Sequence, residues 1–181
     1  PENSIESIRA ALQAGVHAVE VDIRVQQGTV VLSHDPTTHH EVYCPIQQAL
    51  QEIDGKVPII LDIKESGAVK PLLKAVGKYS GELVFSSRKY RILQNIRESL
   101  PDAQLAIIEK WSGVRAVAEA SLLGTKRIHI NQNWLWSKFV KSMVGEGYDL
   151  YAYTVNDEDR AKELASWGVT GIFTDYPSKF N

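Results

Sequence analysis

Short apolar runs alternate with amphipathic stretches along the whole chain, and the spacing of the apolar positions switches between two and about 3.6 residues. Ile5, Ile8 and Leu12 fall at helical spacing within 3–14, with Asn3 or Ser4 placed to cap the first turn, Glu6 or Ser7 inside it and Gly15 to end it. Residues 17–24 then alternate as a strand, Gln27-Gly28 turns the chain, and 29–33 forms a short return run. Further strands are predicted over 57–64, 83–86, 104–108, 126–130, 150–155 and 171–174. Helices are predicted over 45–53, 67–79, 89–99, 113–123, 134–144 and 157–167, the last capped by Asn156 or Asp157 and stopped at Gly168.

The repeating unit is therefore strand then helix, which builds a parallel sheet. One helix precedes the first strand without a strand of its own. Adding a strand before Pro1 brings the count to eight, the number that closes a TIM-type (β/α)8 barrel. The expectation is a single β/α-barrel domain over 1–181 whose first strand lies upstream. A doubly wound open sheet would carry a glycine-rich phosphate turn after an early strand, and the sequence has none.

Composition narrows the function classes. The chain has 181 residues, 44% hydrophobic and 23% charged, enough for one ordinary core. A net charge of -2 gives no electrostatic footing for nucleic acid or an anionic membrane. No apolar run is long enough to span a bilayer. Cys44 is the only cysteine, so neither an intrachain disulfide nor a thiolate metal cage can form. With no export signal visible in the given sequence, a cytoplasmic location is the default expectation. The oligomeric state is not written in the sequence.

The candidate chemistry lies at strand ends, where barrels carry their active sites. Strand alternation puts Glu20, Asp22 and Arg24 on one face of 17–24, with Val19, Val21 and Ile23 toward the helices. Asp62 and Lys64 share a face of 57–64, and Leu61 and Ile63 share the other. Three carboxylates gathered at one mouth repel each other unless a cation joins them. All-oxygen ligation suits Mg²⁺ or Ca²⁺. Such an ion would neutralise a phosphate oxygen, with Lys64 as a second positive contact. The competing reading is a set of internal salt bridges among the same residues. His34, in Ser33-His34-Asp35-Pro36, is placed to act as a general acid or base, and Asp35 either orients its ring or starts the turn. His39 and His40 read as loop residues, and His17 and His129 as structural. Tyr151 and Tyr153 share a late-strand face, where packing is the default for Tyr151.

Taken together, these segments resemble the glycerophosphodiester phosphodiesterase family. The resemblance is carried by Pro1-Glu2-Asn3-Ser4, Val19-Glu20-Val21-Asp22-Ile23-Arg24 and Ser33-His34-Asp35-Pro36-Thr37. It continues through Leu61-Asp62-Ile63-Lys64, Tyr153-Thr154-Val155-Asn156 and Gly171-Ile172-Phe173-Thr174-Asp175-Tyr176-Pro177. It implies a β/α-barrel that cleaves small-molecule phosphodiesters to glycerol phosphate and an alcohol. Glu20, Asp22 and Asp62 match metal ligands, His34 one of two catalytic histidines, and Lys64 a phosphate contact. Glu2 matches a position near the site, and Tyr153 stands where the family has Trp at the glycerol end of the pocket. The family's His-Arg-Gly motif, with the second histidine and a phosphate-binding Arg, would fall before Pro1. Asp62 replaces the family's Glu and is one methylene shorter. The interval between His34 and Asp62 is short, which implies an open mouth. Two alternatives fit the same residues: a non-catalytic barrel that binds phosphate or lipid headgroups, and a phosphodiesterase acting on lysophospholipids.

Overall fold

The protein is described here by a computed structural model covering residues 2–180. The described chain divides into two compact units that part between Gln104 and Leu105.

The first unit opens on helix α1 (Ile5–Gln13), started by a reciprocal capping box between Ser4 and Ser7. Strand β1 (Val19–Gln26) turns at Gln27 and Gly28 into antiparallel β2 (Thr29–Leu32), with Gln26 opposite Thr29. Both turn residues have positive φ, 49° and 82°, which is the demand of a tight two-residue hairpin and the reason glycine sits second. A two-residue strand, β3 (Cys44–Pro45), pairs with β2 and leads into α2 (Ile46–Ile53). Next come β4 (Ile59–Ile63), a 3-10 turn at Ser66–Ala68, α3 (Val69–Val76), β5 (Leu83–Ser87) and α4 (Tyr90–Ser99). β1 and β4 pair in parallel, as do β4 and β5. β4 is buried at all five positions, as expected of a central parallel strand. Ile23, Leu61, Ile63, Leu72, Ile92 and Ile96 are all buried in the core of this unit. At roughly 1.5–3 kcal/mol for each fully buried side chain of this kind, that core outweighs the cost of holding Asp22 and Asp62 inside it.

The second unit runs β6 (Gln104–Glu109), α5 (Gly113–Leu123), β7 (Arg127–Asn131), α6 (Ser137–Gly145), β8 (Asp149–Tyr153), α7 (Glu158–Trp167) and β9 (Gly171–Ile172). β6 pairs with β7, β7 with β8 and β8 with β9, all in parallel. Ser112 caps α5 and Asp157 caps α7 through their side chains. Gly168, at φ 103°, closes α7 in a left-handed conformation. No helix among the described residues is long and apolar enough to cross a membrane.

Two helices start later than their predicted extents, and one short strand has no counterpart among the predicted elements. The helix expected over 67–79 is split: Pro71 falls in the first turn of α3, where its missing N–H is harmless, and Ser66–Ala68 forms a separate 3-10 turn ahead of it. The helix expected over 134–144 starts only at Ser137, because Asn131 accepts from the Asn133 amide and bends the chain into a 3-10 turn first. β3 was not foreseen, since two residues carry no periodicity.

Candidate active site

The site of the first unit follows from one register. β1 and β4 run parallel with Asp22 opposite Asp62, so two carboxylates stand side by side on one face. Val21, Ile23, Leu61 and Ile63 point the other way and are buried. Glu20 lies one pleat earlier on the Asp22 face. Ligand oxygens of Glu20, Asp22 and Asp62 all fall within 4.8 Å of one another.

The electrostatics are unbalanced. Lys64, at the end of β4, places its ammonium 2.5 Å from Asp22 Oδ1 and also pairs with Asp62 Oδ2. One ammonium faces three carboxylates, which leaves two negative charges when all are ionised. Burial pushes the Asp62 carboxyl up, and the charge and hydrogen bond of Lys64 pull it only part of the way back. Burial alone would lower Lys64, but the paired carboxylates win and hold its ammonium firmly protonated. Glu20 is raised well above the ordinary carboxylate range, first by desolvation and then by the charges of Asp22 and Asp62. Water does reach Glu20, so accessibility and desolvation pull apart here; the two neighbouring charges act in the same direction and decide it.

Asp62 Oδ1 is buried and has no hydrogen-bond partner among the described residues. A buried carboxylate oxygen with nothing to accept from is costly and uncommon. A shared cation accounts for both that oxygen and the surplus charge, so Glu20, Asp22 and Asp62 fit a divalent ion held by hard oxygen donors.

His34 stands beside this cluster. Its Nδ1 lies 3.3 Å from Asp22 Oδ2, and its ring is largely open to solvent. The ring partner left open by the sequence is thus Asp22 and not Asp35, whose backbone oxygen accepts from Ser33 Oγ. An ionised carboxylate only accepts, so this contact makes Nδ1 the donor and leaves Nε2 to exchange protons. Arg24 fixes the segment: Nε and Nη2 donate to the His34 carbonyl at 3.1 and 2.9 Å. Glu65 in turn pairs with Arg24 and accepts from the Val25 amide at 2.8 Å. Glu2 belongs here too, with a ligand oxygen within 4.8 Å of Asp22 and His34 donor atoms. A recess of about 850 Å³ beside His34 is lined by Glu2, Asn3, His34, Tyr43 and Gln48 among others.

Tyr153 lies in the second unit, half-buried, with its hydroxyl donating to the Glu109 carbonyl at 2.8 Å. His129, expected to be structural, is buried against Phe173 and Tyr151 at ring separations of 4.8 and 5.5 Å. Glu65 and Asn3 also belong to this site, although neither stands out in the sequence as a candidate. Asn3 sits in a segment already singled out by its resemblance to a family, but a short polar residue before a helix reads first as a cap. Glu65 adjoins Lys64 and carries no periodic signal.

The chain matches the family model described as the Glycerophosphoryl diester phosphodiesterase family over residues 1–44 and 47–179. The Bacillus subtilis protein YhdW is 22% identical over 218 residues, which span 98% of this chain and 90% of that protein. A glycerophosphodiester phosphodiesterase of Caldanaerobacter subterraneus is 21% identical, with 98% of this chain and 89% of that protein covered. Among solved structures, a phosphodiesterase from Oleispira antarctica in complex with the product sn-glycerol-3-phosphate superposes with a TM-score of 0.91 at 21% identity. That match covers 99% of this chain and 89% of the other. The likeness shows the fold class, which is the expected TIM-type β/α-barrel.

Proposed function

The chain belongs to the glycerophosphoryl diester phosphodiesterase family, and from that premise we propose that it hydrolyses glycerophosphodiesters to glycerol phosphate and an alcohol at the site formed by Glu20, Asp22, Asp62, Lys64 and His34, with Mg²⁺ or Ca²⁺ as cofactor. The observation that carries this reading is the trio of carboxylates within 4.8 Å, served by a single ammonium.

Glu20, Asp22 and Asp62 hold the ion. When bound, a divalent cation supplies charge neutralisation at a nonbridging phosphate oxygen. Lys64 then no longer has to answer the carboxylates alone, and its ammonium gives a second positive contact to the phosphate. A hydroxyl, from water or from the substrate beside the phosphorus, forms the new P–O bond as the bond to the alcohol breaks; where the substrate's hydroxyl attacks, water then opens the resulting cyclic phosphate to glycerol phosphate. His34 moves a proton at Nε2 on one side of this exchange, held in its tautomer by Asp22 and in its place by Arg24. The recess beside Glu2 and His34 has the size of a small-molecule site. Tyr153 is assigned to the glycerol end of the substrate on the resemblance alone.

The test is direct. Full-length protein, supplied with Mg²⁺ or Ca²⁺, is incubated with a panel of glycerophosphodiesters and assayed for glycerol phosphate. Release is expected, with loss on chelation and recovery when the ion is returned. No product across the panel with either ion overturns the reading.

A further inference from the structure

Asp22 belongs to both groups of potential ligands, Glu20–Asp22–Asp62 and Glu2–Asp22–His34, so its orientation governs the ion and the histidine together. Its two oxygens are divided between them. Oδ1 faces Lys64, which also contacts Asp62, and Oδ2 faces His34.

Asn3 makes this division. Its Nδ2 donates to Asp22 Oδ2 at 2.8 Å, and its Oδ1 accepts from the Asp22 backbone amide at 2.9 Å. The second bond has a topological origin. β1 meets β4 through Val19 and Ile23, whose amide and carbonyl face that neighbour. Asp22 therefore points its backbone to the opposite edge, where its carbonyl accepts from Ser33 at 3.0 Å. The Asn3 amide group takes the N–H there, as an adjoining strand would. One side chain thus grips both the backbone and the carboxylate of the same residue, which limits rotation of Asp22 about its side-chain bonds.

The identity of the residue follows from these demands. Position 3 has φ of 56°, in the left-handed region that glycine, asparagine and aspartate tolerate best. Glycine offers no side chain, and an ionised aspartate offers no donor to Asp22 Oδ2. Asparagine alone among the three supplies a donor and an acceptor at that backbone conformation.

We propose that Asn3 is a positioning residue of the ion site: it turns Asp22 so that Oδ1 is presented beside Asp62 while Oδ2 is kept for His34. This rests on the ion-binding reading above. Residues that orient a metal ligand typically contribute about 10- to 100-fold in affinity.

The experiment measures Mg²⁺ and Ca²⁺ affinity of the full-length protein by calorimetry, alongside melting temperature in the absence of ion. Asn3→Gly keeps the left-handed backbone and removes both bonds. Ser7→Ala loosens the start of α1 without touching Asp22. The expected result is binding weakened about 10- to 100-fold in Asn3→Gly and unchanged in Ser7→Ala, although both melt lower. An affinity in Asn3→Gly within about twofold of wild type overturns the proposal, as does an equal loss in both variants. A second measurement needs no variant: the Asn3 side-chain amide hydrogens of the wild-type protein, followed by NMR, should exchange slowly with and without ion. Exchange as fast as a free amide overturns the proposal. Failure of the wild-type protein to bind either ion would instead overturn the reading it rests on, so the two failures are told apart.

Discussion

Two buried carboxylate environments in this protein solve opposite problems. In the second unit, Glu109 is completely buried and fully satisfied: Oε1 accepts from the amides of Lys110 and Trp111, both at 2.7 Å, and Oε2 from Arg115 at 2.6 Å. Desolvation pushes that carboxyl up, but those three donors outweigh it and hold it below its ordinary range. In the first unit, Glu20 and Asp62 are both raised, and Asp62 keeps an oxygen with no partner among the described residues. The contrast separates an acid satisfied by its own chain from acids that have charge left over for a ligand. Glu109 is complete without any ligand, whereas the Glu20–Asp22–Asp62 group carries more negative charge than its own cations answer.

His34→Ala removes the imidazole beside Asp22 and should lower kcat for glycerophosphodiesters by about 100- to 10,000-fold. Ion affinity measured by calorimetry should change far less, because His34 is not one of the three carboxylates proposed to hold the ion.

Next comes a crossed pair of substitutions. Glu109→Ala strips a charge-assisted bond and two amide bonds at once, and should destabilise the protein by about 2–4 kcal/mol in denaturant melts. Its ion affinity should stay at the wild-type value. Glu20→Gln should do the reverse: ion affinity falls at least about tenfold, while the ion-free protein at neutral pH melts no lower than wild type. Equal stability losses in both variants would erase the distinction between the two environments.

The smallest effect concerns pH, and its sign differs between the units. Glu20 and Asp62 have folded pKa values above their unfolded ones, so the native state binds more protons than the unfolded state between the two values. Their contribution to the ion-free protein is present at low pH and is lost as pH rises through the raised values. His129 is the opposite case. Desolvation, and then the charge of Arg127, lower its pKa from 6.5 to about 3, so stability is lost as pH falls from 6.5 toward 3. Each pH unit in that window is worth about 1.4 kcal/mol for one such group. His129→Leu removes a buried imidazole whose Nε2 has no partner among the described residues, so it should cost less than about 1.5 kcal/mol at pH 7. It should also flatten the acid side of the stability curve. An unchanged slope between pH 6.5 and 3 would show that His129 takes up its proton without unfolding.

Much of this was legible because it depends on local order in the chain. Periodicity located α5 at its observed bounds and most strands to within two residues, since a side chain's face is set by its position along the element. The same alternation put Glu20 and Asp22 on one face and Asp62 and Lys64 on another, and the structure joins them through a single parallel register. What periodicity missed was local interruption: Pro71 moved the start of α3, and the two residues of β3 are too few to show a period.

Composition and spacing travel with the chain, so the alternation of strands with helices and the candidate acids, lysine and histidine could be read from its order alone. Tertiary structure alone decided which of those residues meet. It gave His34 to Asp22 and not to its neighbour Asp35, brought Asn3 across nineteen positions to the same carboxylate, and left Asp62 with an oxygen unpaired among the described residues. The physical reason is that pairing across strands brings distant residues within hydrogen-bond reach, and the balance of charge and burial exists only once they are there.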